Sequence, residues 1–486
     1  MNNELKFQKA AQYAVLFLLG TIPFFFGAVH PIVTGAYTSF ILLMLGTWLL
    51  LNARYLSNRQ IFSGGHILFF LFIFWIVLSI VPLPISWLRS LSPARISFLQ
   101  ATNQLAGTDI QYASTGYNGV AGIMTAAFLF ALLLYVVNLK ILLKTDRTFL
   151  KKILYVCIGV GLLEAIYGIL QSVNPHLGVL WLSDTKQFNG MARGTIIYKN
   201  QYAALLNMIW PFAVGAAFLQ FKRIPRKKII PSKRHTSRRK SKKKHSAGDL
   251  TTNRRLRGFL FLFFASVIML AVLFSQSRGG IISMILILSV LLVLLPVNLK
   301  NKLLLSGFFL LFTLSYGSII GFNSVLERFM LIYQGGEGRF NIWLSSLPML
   351  QDHLLIGTGI GSYILLSSIY LKKFPENITF DRAHNDYLEF AIELGLPFSL
   401  FFFCICIIFF LLLMKKIWPY TRTKISKLPS SALISIISTA AITGFVIHGT
   451  VDFGWRLPAN LLYFTTLLTL AQQGGQFASH SAPAGK

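Results

Sequence analysis

Charge is scarce in this chain. Asp, Glu, Lys and Arg make up 12% of its 486 residues, against roughly 25% in a water-soluble domain. Apolar residues make up 55% and recur in long runs. Together these exclude a water-soluble fold and indicate an all-α polytopic membrane protein. Acids are scarcer still, with 15 Asp/Glu against 45 Lys/Arg and a net charge of +30. That excess does not point to nucleic acid, because of where it lies. Residues 222–257 hold sixteen of the Lys/Arg and a single acid, Asp249, without the interleaved aromatics on which bases stack. The stretch reads as a cytoplasmic loop obeying the positive-inside rule, with anionic lipid headgroups as a compatible contact.

Cysteine is nearly absent. Cys157, Cys404 and Cys406 all lie inside apolar runs, and Cys404-Ile-Cys406 has neither the spacing nor the polar setting of a zinc site. No cleavable signal peptide is evident. The first apolar run is followed by Gly27-Ala-Val-His-Pro31 and a second run, so it is expected to stay as an anchor. No nucleotide-binding motif stands in a strand–helix context. No DxD-like metal pair falls in an outer segment, and the first outer turn, about Ala28 to Pro31, carries no carboxylate. No metal and no cofactor is therefore expected.

What is present is a series of about twelve apolar runs, near 10–27, 32–51, 67–81, 119–138, 153–170, 202–219, 258–274, 281–295, 303–320, 396–414, 432–447 and 457–470. A helix needs about 20 residues to cross a bilayer, so several runs must borrow flanking residues. With both termini inside, 33 of the 45 Lys/Arg fall in inner segments, which fixes the orientation expected. The chain divides into helices 1–9 over 1–320, one long outer loop over 321–395, and helices 10–12 with a tail over 396–486. The other outer segments are 82–118, 171–201, 275–280 and 448–456, the last holding His448, Asp452 and Arg456.

Polar groups concentrate in these outer segments, where their cost at a membrane edge asks for a use. Arg278 sits in the turn Ser275-Gln-Ser-Arg-Gly-Gly280, whose glycines allow close approach of another group. Its planar fork suits phosphate oxygens, although an interfacial arginine can also simply snorkel. Arg339 and Trp343, in Gly338-Arg-Phe-Asn-Ile-Trp343, share one helix face with Leu347. Arg193, with Lys199 and Asn200, stands at the mouth of the sixth run, as a donor-side cation or an ordinary anchor. Gly357-Thr-Gly-Ile-Gly361 lacks the setting of a phosphate loop and reads as a flexible turn. His384, in Arg382-Ala-His-Asn-Asp-Tyr-Leu-Glu389, is expected to begin a helix, with Leu388, Ala391 and Gly395 below it. An imidazole there can take a proton from a hydroxyl near neutral pH, and the arginines can neutralise a diphosphate.

These residues resemble the O-antigen ligase and polymerase superfamily of bacterial inner membranes. His384-Asn385 followed by Gly395 matches the ligase spacing, and Phe398 departs from the Gly, Thr or Tyr that the pattern ends on. Ser277-Arg-Gly-Gly280, Gly338 to Trp343, and Arg193-Gly-Thr with Lys199 to Ala203 look like the family's arginine segments, in order. The resemblance implies a GT-C-like fold in the bacterial inner membrane with a periplasmic active site. It implies metal-independent, inverting transfer of a glycan from undecaprenyl diphosphate. Arg278 and Arg339 would hold the diphosphate, Arg193 would assist, and His384 would activate the acceptor. The acceptor would be lipid A–core or, almost equally, another glycan repeat, with a protein hydroxyl behind both. A twelve-helix polysaccharide transporter is the competing class, for which ionisable groups at the bilayer midplane would speak. Glu164 is the one clear mid-span acid.

Overall fold

The computed structural model describes residues 2–53, 64–107, 110–174, 176–182, 190–222, 240–320, 332–375 and 379–473. The basic run 223–239, the start of the long outer loop at 321–331, and the tail from 474 lie outside the described residues.

A helix covers all or most of each apolar run read from the sequence, because in hydrocarbon each backbone N–H and C=O must be satisfied within the segment. In chain order these are α1 (Asn2–Thr21), α2 (Pro31–Leu51) and α3 (Gly64–Leu78). Two short helices follow, α4 (Ile85–Leu91) and α5 (Pro93–Ala106), then α6 (Gly119–Thr145), α7 (Phe149–Val173) and α8 (Lys199–Phe221). Next come α9 (Lys240–Phe274), α10 (Arg278–Leu294) and α11 (Leu299–Ile320). Three helices fill the long outer segment, α12 (Ile332–Asp352), α13 (Tyr363–Tyr370) and α14 (Asp386–Leu394). The chain closes with α15 (Leu396–Ile417), α16 (Ser430–His448) and α17 (Pro458–Gln473). Among the described residues the only strand pair is β1 (Leu83–Pro84) against β2 (Tyr112–Ala113).

The protein is a polytopic, helical membrane protein. Seven helices among the described residues are long and apolar enough to cross a membrane: α2, α6, α7, α8, the 252–274 part of α9, α15 with its continuation to Arg422, and α16. That is fewer than the twelve expected. α3, α10 and α17 have only 15, 17 and 16 residues, and α1 spends its first two turns on polar residues. Two boundaries also move. The first run breaks after Thr21, where Phe26, Gly27 and Ala28 all take positive φ. The end of the basic loop is helical, since α9 starts at Lys240.

α8 is the centre of the bundle, buried along nearly its whole length between α9, α16, α7 and α10. Small residues permit this approach. A Cβ on Gly215 would lie 2.8 Å from Ile437 Cδ1, and one on Gly280 would lie 2.6 Å from Ala203 Cβ. α15 is the opposite case, with Leu400, Phe401, Ile407, Ile408 and Leu411 turned outward.

The segment from α12 to α14 is a folded helical unit. α12, α13 and α14 pack around a small apolar core that includes Ile342, Met349, Tyr363, Leu366 and Ile392. The 82–118 segment docks on it. Tyr117 donates its backbone N–H to Thr358 O at 2.9 Å, and Arg95 lies 4.1 Å over the Tyr117 ring. His353 bridges the two, with Nδ1 3.4 Å from Ser92 Oγ and Nε2 3.4 Å from Tyr117 OH. Burial pushes the His353 imidazole down to about 4, with Arg95 adding to the effect against the pull of Asp352.

Candidate active site

His384 stands just outside a helix. Asn385 is the N-cap of α14, its Oδ1 accepting from the N–H of Tyr387 and Leu388 at 3.1 Å each, so the helix starts at Asp386. His384 takes φ +52°, a left-handed conformation that costs a non-glycine residue about 1–3 kcal/mol. It is held from both sides. The Trp343 indole N–H donates to Ala383 O at 2.9 Å, and Ala383 N–H donates to Glu389 Oε2 at 3.1 Å. Trp343 and Asn385 therefore fix the backbone that presents the imidazole.

Gly395 ends α14 at φ +83°, ψ +148°, a region reserved for glycine. A Cβ there would collide with Leu355 O and lie 3.0 Å from Gly357 N. The Gly357–Gly361 turn is correspondingly rigid rather than flexible. Thr358 and Gly359 donate N–H to the Ile392 and Glu393 carbonyls at 3.0 and 2.8 Å, and Gly361 N–H donates to Glu393 Oε1 at 2.8 Å. The turn's amides cap the end of α14 and are spent there. Phe398, the departure from the ligase pattern, stacks on Trp75 of α3 at 4.6 Å with planes 3° apart.

The imidazole faces a carboxylate that the sequence left without a role. Asp452, between α16 and α17, has Oδ1 3.9 Å from His384 Nδ1 and Oδ2 3.9 Å from His448 Nε2. Arg339 NH2 lies 3.7 Å from the same Oδ2, and Arg339 NH1 donates to Val451 O at 2.6 Å. Burial alone would push the Asp452 carboxyl up, but His384, His448 and Arg339 outweigh it and hold it below the usual carboxylate range. His384 keeps 28% of its side chain exposed, with the Phe453 ring 5.0 Å away.

A buried ion cluster locks Asp452 to α14. Arg456 NH2 lies 3.0 Å from Glu389 Oε1 and 2.6 Å from Glu393 Oε2, and Arg382 NH1 lies 3.0 Å from Glu389 Oε1. Burial favours the neutral form of Glu389, yet Arg456 and Arg382 hold it below its ordinary value, whereas Glu393 is raised. Asp386 donates its N–H to Gly449 O and Asp452 O at 2.9 and 3.1 Å. Burial drives its carboxyl well up, Arg456 opposes, and Glu389 adds to the rise.

The arginines are distributed unequally. Arg278 opens α10, whose N-cap Ser277 accepts from Gly280 N–H at 3.1 Å. Its neighbour Gly279 abuts His448, where a Cβ would lie 2.9 Å from Cδ2. Arg339 thus borders the carboxylate–imidazole centre directly, and the turn that carries Arg278 abuts His448 through Gly279. Lys199 reaches the same turn, its Nζ 3.4 Å from Gln276 O, and Asn200 follows it, partly buried, in the first turn of α8. Gln201 donates to Phe453 O at 3.3 Å, joining α8 to the Asp452 segment. Arg193 is instead buried at 2% exposure, unlike a snorkelling anchor. Its N–H donates to Gln171 Oε1 at 3.2 Å, and its segment is tied to α9 by Ala192 N–H to Phe274 O at 3.0 Å. Asp452 and His448 were visible in the sequence as an acid and an imidazole in one short turn between apolar runs, and that was the available signal.

Residues 260–403 match the family model described as O-antigen ligase (Wzy_C). The matched stretch contains Arg278, Arg339, Trp343, His384, Asn385 and Gly395, and it stops before His448 and Asp452. No curated protein matches the chain.

Proposed function

We propose, from the match of residues 260–403 to the O-antigen ligase family model, that the chain transfers a glycan from undecaprenyl diphosphate to an acceptor hydroxyl at the periplasmic face of the bacterial inner membrane. The observation that carries this reading is the convergence of His384, Asp452 and Arg339 within 3.9 Å. His384 Nδ1 faces the carboxylate, which leaves Nε2 for the acceptor. As the acceptor oxygen attacks the anomeric carbon, the bond from that carbon to the diphosphate oxygen breaks and the hydroxyl proton passes to Nε2. Asp452 stabilises the imidazolium that results and keeps the ring oriented. Arg339 and Arg278 stabilise the charge on the departing diphosphate, with Arg193 and Lys199 supporting the turn beside them. One displacement inverts the anomeric centre.

The orientation rests on the 33 inner Lys/Arg and the wider span count on the helices that cover all or most of each of the twelve runs, in a GT-C-like bundle. Glu164 does not favour transport, since its carboxylate is engaged by Thr195, through N–H at 2.9 Å and Oγ1 at 2.5 Å. The leading acceptor is lipid A–core, with a growing glycan repeat close behind and a protein hydroxyl third. Surface polysaccharide of a deletion strain separates them. Long chains left on the carrier mark a lost ligase, single-repeat caps a lost polymerase, and intact polysaccharide with unglycosylated protein the third. Complementation with Arg278→Ala should restore membrane insertion but no transfer, and full complementation by it would remove the diphosphate role.

A further inference from the structure

His448 ends α16 and is buried, with 2% of its surface exposed. Neither ring nitrogen meets a hydrogen-bond partner among the described residues, a costly state for a buried polar group. Two neighbours define what the ring can do. Its Nε2 lies 3.9 Å from Asp452 Oδ2, the oxygen that Arg339 NH2 approaches to 3.7 Å. A Cβ at Gly279 would fall 2.9 Å from Cδ2 and 3.0 Å from that same Nε2, so glycine is what lets the turn carrying Arg278 close on the ring.

Arg339 cannot serve both the carboxylate and a diphosphate with the same nitrogens. When a diphosphate engages it, Asp452 Oδ2 is left buried without a partner, and Asp452 is only 3% exposed. An unsatisfied buried carboxylate oxygen invites the side chain to turn. His448 is the neighbour placed to prevent this.

We propose that His448 is a positioning residue that takes over Asp452 Oδ2 from Arg339 when the donor diphosphate draws that arginine away, so that Oδ1 stays turned to His384. The inference rests on the reading of His384 as base and Arg339 as a diphosphate contact. It makes donor binding and base orientation one coupled event, because the same arginine serves both. The charged groups around His448 are Asp452 on its own segment, Arg339 from α12, and Arg278 beside Gly279 on α10.

The test uses the purified full chain in lipid nanodiscs, with a lipid-linked glycan donor and the acceptor that supports transfer. His448→Phe keeps the ring's bulk and removes its N–H. It should lower kcat about ten-fold or more and raise the donor KM by a smaller factor, because the lost contact forms only when the donor is bound. His448→Gln retains a donor and should restore most of kcat. Gly279→Ala, which displaces the ring without changing it, should behave as His448→Phe does. Unchanged kcat in His448→Phe would overturn the proposal, as would a Gln variant as impaired as Phe. His384→Ala is assayed in parallel. If it is active the base reading fails, whereas an inactive His384→Ala beside a normal His448→Phe removes this inference alone.

Discussion

Replacing Asp452 by Asn isolates the charge beneath the base. Asn keeps the shape and can still accept the Phe453 N–H that Asp452 Oδ1 accepts at 3.0 Å. What it loses is attraction to the His384 imidazolium, which exists only once the acceptor proton has moved. At the 3.9 Å separation, with an effective dielectric of about 20, Coulomb's law gives about 4 kcal/mol. His384 is partly open to solvent, with 28% of its side chain exposed, and screening can halve this to about 2 kcal/mol. The range of about 2–4 kcal/mol corresponds to roughly 30- to 1,000-fold in kcat. Donor KM should change by less than about three-fold, since Arg278 is untouched and Arg339 retains its bond to Val451 O at 2.6 Å. The assay is steady-state transfer by purified protein with saturating acceptor. A variant whose kcat stays within about three-fold of the parent would refute the reasoning, because no carboxylate that close to a working base can be so inert.

Further outcomes follow from the same geometry. Gly395→Ala places a Cβ against Leu355 O in a backbone conformation reserved for glycine. It should lower the melting temperature sharply or prevent accumulation in the membrane, and an unaltered melting curve would contradict the clamp described at the end of α14. Phe398→Ala removes the ring stacked on Trp75 and should cost about 3 kcal/mol of stability with kcat per folded molecule preserved. Selective loss of kcat would place Phe398 in the chemistry. His353 is pushed down to about 4 by burial, while the unfolded chain takes its proton near 6.5. The unfolded state therefore binds more protons between those values, and stability falls as pH drops from about 6.5 to about 4. His353→Asn should flatten that portion of a melting temperature against pH curve, and an unchanged slope would assign the acid sensitivity elsewhere.

The helices were legible because continuous apolar runs leave the backbone no alternative in hydrocarbon, and because the face shared by Arg339 and Trp343 is a local property of α12. The start of α14 was misplaced by two residues, because Asn385 and not His384 satisfies the free amides. The stiffness of the Gly357 turn was invisible for a different reason. Its partners are the carbonyls of Ile392 and Glu393, more than thirty residues away in sequence. Asp452 illustrates the same limit at the centre of the site. Its distance from His384 is set by the packing of α14 against the Arg456 segment through Glu389 and Glu393, which no local pattern encodes. Arg193 looked like an outward cation in sequence, and only the fold of its segment against α7 and α9 buries it.

The account turns on His384 as the group that takes the acceptor proton. Its most direct measurement is single-turnover glycan transfer by reconstituted His384→Ala protein, with donor binding followed in the same sample. The account predicts donor bound at the parent's affinity and no glycosidic bond formed. Transfer at the parent's rate by that variant would contradict it.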